Sequence, residues 1–145
     1  MRAYADTGFL CSLYAPDAHT QRAIRRMRRQ ELPLPFTWLH RLEFRNALRL
    51  RVFRREITTG QRDASLNALL ADLANGVLTP ASPSLDEVMT EGERLSALYS
   101  ENLGTRSLDV LHVSAALVLG FGEMLTFDTR QIALARAAGL KAPIV

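Results

Sequence analysis

The chain has 145 residues, 48% of them hydrophobic, which suits one compact domain that buries its core without disulfides or structural metals. Its one cysteine, Cys11, excludes an internal disulfide, the start carries charges at Arg2 and Asp6, and the apolar run 110–121 is broken by His112 and Ser114; the run falls far short of the ~20 residues of a membrane span, so a protein of the cytoplasm with no membrane partner is expected. The net charge of +3 is uneven: arginines crowd 22–62 and acids 86–101, a pattern that suits phosphate on one face or a merely solvated charged surface.

The elements alternate. Residues 2–5 read as a strand, with a helix from Thr7, and Pro16 is expected to open a second helix over 16–30. A strand at 33–37 precedes helices over 38–55 and 59–73, the latter stopped by Asn75 and Gly76. A brief strand fits 77–80. Ser84, with Glu87 three residues on, predicts a capping box and a helix to 103 ended by Gly104. The helix from Ser107 is apolar nearly all round and is expected to be buried. A strand at 124–127, a helix at 129–138 stopped by Gly139, and a last short strand in 141–145 complete the chain. Strands separated by helices imply a mainly parallel central sheet with helices on both faces, an α/β class.

Ligands in open parallel sheets bind beyond the carboxyl ends of the strands. Asp6 and Asp128 are expected there, each followed by a threonine, Thr7 and Thr129; helix capping explains either one alone. Glu43 shares a helical stripe with Leu39, His40, Asn46 and Ala47, where an ion pair with Arg41 or Arg45 competes with a functional role. Asp109 stands in the first turn of the apolar helix, where the dipole favours it. Taken together, four converging carboxylates would repel one another by roughly 3 kcal/mol per pair at 5 Å and an effective dielectric near 20. They would hold protons or bind a hard divalent cation, and magnesium or manganese with all-oxygen ligands suits phosphodiester hydrolysis.

Four stretches carry a resemblance: Tyr4-Ala5-Asp6-Thr7-Gly8-Phe9-Leu10, Leu42-Glu43-Phe44-Arg45-Asn46-Ala47-Leu48, the run Leu108-Asp109-Val110-Leu111-His112 continuing to Leu117, and Leu125-Thr126-Phe127-Asp128-Thr129-Arg130-Gln131. In this order they resemble the four acidic motifs of the PIN-domain family, in particular its VapC-like toxin ribonucleases, over nearly the whole chain. The resemblance implies a single PIN-like domain over 1–145, a three-layer α/β/α sandwich with a central, mainly parallel sheet. It implies an endoribonuclease site in which Asp6, Glu43, Asp109 and Asp128 are catalytic and bind Mg2+ or Mn2+ directly or through water. Thr126 and Thr7 would position substrate or water, and Asn46 and His112 would be supporting residues. It further implies an RNA substrate, a cognate antitoxin and a homodimer. Phe127 departs from the pattern, at a position often small or polar.

Other classes fit less well. A phosphoacceptor signalling domain needs an acid pair after the first strand and an aspartate after the middle one, yet only Asp6 is present and 77–84 has no acid. A haloacid-type hydrolase would want an aspartate where Gly8 stands, and His19, His40 and His112 form no pairing suited to metal-independent RNA cleavage. A PIN-like RNA-processing nuclease that is not a toxin, or a PIN-like module that binds without cutting, stays open at this point.

Overall fold

The computed structural model describes residues 2–145, so Met1, the first position of the expected domain, lies outside the described residues. In chain order the elements are β1 (Ala3–Ala5), α1 (Thr7–Tyr14), α2 (Thr20–Met27), β2 (Leu34–Phe36), α3 (Trp38–Phe53), α4 (Thr59–Ala74), β3 (Leu78–Pro80), α5 (Leu85–Leu95), a π-helical turn (Ser96–Ser100), α6 (Glu101–Leu103), α7 (Ser107–Val118), β4 (Glu123–Leu125) and α8 (Thr129–Ala137). They group into two compact units, one made of the residues up to Asp6 with Ser82–Val145, the other of Thr7–Ala81.

In the first unit β1 pairs with β4 in parallel, Tyr4 opposite Met124 and Ala5 opposite Leu125. The pairing continues past β1, where the Asp6 amide donates to the Leu125 carbonyl at 3.1 Å. All of β1 is buried, and in β4 Met124 and Leu125 are buried while Glu123 is half-buried, as the apolar Ala3, Ala5, Met124 and Leu125 require. The expected tail strand is reduced to one parallel bridge between Glu123 and Lys141. Helix α5 packs on α7, and Gly92 makes the approach possible: a Cβ there would meet Ser114 Oγ at 3.3 Å and Val110 Cγ1 at 3.6 Å. Ser114 in turn returns its hydroxyl to the Val110 carbonyl at 2.7 Å, so its polar atom is satisfied inside an apolar helix. Only half of the capping box expected at Ser84 forms as drawn, with Ser84 Oγ accepting from the Glu87 amide at 3.3 Å. The helix expected over 84–103 runs unbroken from Leu85 to Leu103, passing through the π-helical turn at Ser96–Ser100, and ends at Gly104, whose φ of 65° is the left-handed stop a glycine allows.

The second unit holds the other parallel pair, β2 with β3, Leu34 opposite Leu78 and Phe36 opposite Pro80. Phe9, Leu10, Ala23, Phe44, Leu48 and Leu69 are buried from α1 to α4. Tyr14 meets Phe44 edge to face at 6.1 Å and donates its hydroxyl to Asp72 Oδ2 at 2.6 Å; burial first, then Asp72, pushes its pKa far above the ordinary tyrosine value. The entry into α2 differs from expectation. Pro16 does not open it, because Asp17 holds a turn instead, with its Oδ1 accepting the His19 amide at 2.7 Å and its own amide donating to Thr20 Oγ1 at 2.9 Å. Helix α3 opens on a reciprocal cap. The Thr37 side chain accepts from the His40 amide while His40 Nδ1 accepts from the Thr37 amide at 2.9 Å, so histidine takes the part usually played by glutamate.

Candidate active site

Strand β4 stops at Leu125, so Thr126 and Phe127 lie beyond it and Asp128 does not follow the strand directly, as the sequence pattern had it. The reason is Thr126. Its hydroxyl, buried at 1% exposure, donates to Asp6 Oδ2 at 2.5 Å and accepts from the Asp128 amide at 3.0 Å. One hydroxyl therefore ties the carboxylate after β1 to the backbone at the start of α8. Asp6 itself is 8% exposed, and a carboxylate that deep is held by charge-assisted hydrogen bonds.

Asp128 is the N-cap of α8, its Oδ1 accepting from the amides of Arg130 at 2.8 Å and Gln131 at 3.4 Å. The capping explanation is thus true of Asp128, and it uses Oδ1. Asp109 occupies the third position of α7 and its carboxylate accepts a backbone hydrogen bond from Arg106, the residue that begins the helix. Its pKa lies above the ordinary aspartate value because burial disfavours the charge and, next, because the Asp128 carboxylate repels it. The first unit thus contains Asp6 joined to Asp128 through Thr126, and Asp128 electrostatically coupled to Asp109.

Glu43 and Thr7 belong to the second unit. Thr7, buried at the start of α1, donates its hydroxyl to Glu43 Oε1 at 2.9 Å, so the threonine after Asp6 orients a carboxylate. Leu39 and His40 are buried on α3 as expected, but Asn46 is exposed, which removes it from the core-facing stripe where the sequence pattern had put it. The face that α3 buries runs along Leu39, His40, Phe44 and Leu48, so Glu43 and Ala47 lie half-buried at its margin and Asn46, two positions from both Phe44 and Leu48, points away from it. His112 is buried at 3% exposure and hydrogen-bonded, its Nδ1 lying 2.8 Å from the Tyr4 hydroxyl. Sequence reasoning anticipated a packed, hydrogen-bonded His112 and missed Tyr4 as its partner. The available signal was that a tyrosine in a buried strand and a histidine on an apolar helix each need a polar partner.

Among the described residues, no three histidine, cysteine, aspartate or glutamate side chains are gathered into a cage that would hold a metal ion. The chemistry of the donor set nevertheless fits a hard cation. Every candidate ligand is a carboxylate, and the repulsion from Asp128 that, after burial, raises the Asp109 pKa is the kind of charge crowding a divalent ion relieves.

No family model and no curated protein matches the sequence. Solved structures match its fold end to end. VapC20 of Mycobacterium tuberculosis, described as a sarcin-ricin loop cleaving toxin, superposes with a TM-score of 0.70 at 18% identity, covering 99% of this chain and 98% of that one. VapBC2 of Rickettsia felis, solved bound to a DNA fragment from its promoter, gives 0.66 at 14% identity with coverages of 99% and 98%. FitAcB of Neisseria gonorrhoeae gives 0.62 at 15% identity, with 97% and 95% covered. At these identities the likeness is one of fold, and it agrees with the mixed α/β fold of parallel strands that the motif resemblance implied.

Proposed function

We propose, from a fold shared with VapC toxins, that this chain is a metal-dependent endoribonuclease and the toxin of a VapBC-type toxin–antitoxin pair. The observation that carries the reading is the Asp6–Thr126–Asp128 hydrogen-bonded chain, with Asp109 coupled to Asp128, in a chain that matches VapC20 over its whole length. Asp6, Asp109 and Asp128 are the proposed ligands of Mg2+ or Mn2+. Glu43 is proposed as the fourth from the motif resemblance, with Thr7, which donates to it, as its positioning partner.

When bound, the cation supplies a water ionised near neutral pH for in-line attack on phosphorus and a counter-charge for the phosphate oxygens. The chain's own residues do the rest. Thr126 donates its hydroxyl hydrogen to Asp6 Oδ2 and so fixes the orientation of that carboxylate. Because Thr126 also accepts the Asp128 amide, a shift of β1 carries the start of α8 with it. Asp128 Oδ1 is spent on the helix cap, and Oδ2 is the oxygen assigned to the cation or its water. Asn46, exposed on α3, is assigned to contact with substrate or partner instead of support from within the core.

The RNA backbone and an acidic antitoxin segment both call for cations, and α2, the turn that follows it and α3 present exposed Arg25, Arg28, Arg29, Arg41 and Arg49. Leu42 and Phe53, 71% and 83% exposed on α3, give the same helix an apolar component suited to a protein partner. No helix of the described residues is long and apolar enough to cross a membrane; action on RNA in the cytoplasm and homodimer formation complete the proposal.

The test is cleavage of RNA by the purified, partner-free chain in Mg2+ or Mn2+. Activity should vanish in EDTA and in Asp6→Asn and Asp109→Asn variants whose circular dichroism is unchanged. Equal cleavage by wild type and variants would identify a contaminant, and absence of both cleavage and metal binding would leave a non-catalytic binding module.

A further inference from the structure

We propose that the buried Tyr4–His112 hydrogen bond is the strut that sets the approach of Asp6 to Asp109, which makes both residues positioning groups for the carboxylate site. The inference rests on the nuclease reading and extends it to two residues that touch neither substrate nor cation.

Side chains two apart on an extended chain share a face, as do side chains three apart on a helix. Tyr4 and Asp6 are therefore on one face of β1 and its continuation, and His112 and Asp109 on one face of α7. The offsets run on a similar scale, about 6.7 Å along the strand for two residues and about 4.5 Å along the helix for three. A 2.8 Å hydrogen bond between Tyr4 and His112 consequently fixes the strand–helix spacing one step behind the two carboxylates. The contact is enclosed. Tyr4 is fully buried and His112 is 3% exposed, their rings meet at an angle of 61° with centroids 5.8 Å apart, and Phe121 meets Tyr4 edge to face at 6.2 Å. Arg2 caps that Phe121 ring, its guanidinium carbon 4.4 Å from the centroid.

The strut also closes a loop. Asp6 reaches Asp128 through Thr126, Asp128 is coupled to Asp109, and Asp109 returns through α7, His112 and Tyr4 to β1. Two separate ties thus join β1 to the acidic elements, Thr126 to the start of α8 and His112 to α7. Without the strut, the Thr126 tie orients Asp6 relative to Asp128, but α7 can slide and take Asp109 with it.

The experiment measures Mn2+ affinity of the full chain by electron paramagnetic resonance, together with RNA cleavage and thermal melting, in Tyr4→Phe, His112→Gln, His112→Asn and the Tyr4→Phe/His112→Gln double variant. Asparagine keeps a hydrogen-bonding atom near the position of Nδ1, and glutamine moves it to the position of Nε2. Tyr4→Phe and His112→Gln should weaken Mn2+ binding about 10-fold or more, the usual effect of losing a residue that orients a metal ligand, with kcat lowered and KM for RNA little changed. His112→Asn should recover most of both, and the double variant should be no worse than the single ones. A lower melting temperature with wild-type Mn2+ affinity would make the pair a packing contact and overturn the proposal. A wild type that neither binds Mn2+ nor cuts RNA would overturn the nuclease reading and the strut with it, whereas wild-type binding matched by all variants overturns the strut alone.

Discussion

Replacing Thr126 with valine preserves the shape of a side chain that is 1% exposed and deletes one hydroxyl. Two bonds go with it, the 2.5 Å donation to Asp6 Oδ2 and the 3.0 Å acceptance from the Asp128 amide. A hydrogen bond to a charged group contributes about 1.5–3 kcal/mol and a neutral one about 1 kcal/mol, so the folded state should lose about 3 kcal/mol. For a chain of this length that corresponds to a melting temperature lower by about 6–12 °C. Thr126→Ser, which keeps the hydroxyl, should lose less than half as much. The assay is thermal denaturation followed by circular dichroism, with and without MnCl2. A cation at 100 times its Kd stabilises the wild type by about 2.7 kcal/mol, and Thr126→Val should lose most of that increment because Asp6 and Asp128 are no longer held in one arrangement. A valine variant that melts within 1 °C of wild type in both conditions, by the same reasoning, would refute the role given to this hydroxyl.

Three further outcomes are expected. Asp128→Ser retains a good N-cap for α8, so stability should stay within about 0.5 kcal/mol while RNA cleavage is lost; retained cleavage in a melting-matched variant would reduce Asp128 to its cap. Asp109 has a raised pKa in the folded state, from burial and then from Asp128, so its ionisation opposes folding, and the penalty grows as pH rises from the unfolded pKa through the folded one. Asp109→Asn should therefore melt higher than wild type at pH 7 in EDTA, with the advantage fading in acid; a lower melting temperature at neutral pH contradicts that sign. Phe44, fully buried and edge-on to Tyr14 at 6.1 Å, should cost about 3–5 kcal/mol on truncation to alanine, read from the urea midpoint at unchanged slope.

Much of the secondary structure was legible because local physics decides it. Gly76 and Gly104 take the positive φ that ends α4 and α6, Ser84 caps α5, and the alternation of short apolar runs with helical stripes announces parallel pairing, found in both β1–β4 and β2–β3. The motif order around Asp6, Glu43, Asp109 and Asp128 was likewise readable, since covalent spacing is a property of the chain alone. Pro16 misled because a preference for a helix's first turn was outweighed by the side-chain hydrogen bonds of Asp17. Asn46 misled because a stripe inferred from four neighbours was wider than the face α3 buries.

Composition, periodicity and capping residues thus determined the elements, their parallel pairing and which carboxylates were worth attention. Tertiary structure alone decided that Thr126 joins Asp6 to Asp128 across 120 positions of sequence, that Thr7 holds Glu43, and that Tyr4 and His112 satisfy each other 108 positions apart. The reason is physical: a buried polar group must find a partner, but the sequence states only the need, and the partner is whichever complementary group the packed chain brings within about 3 Å.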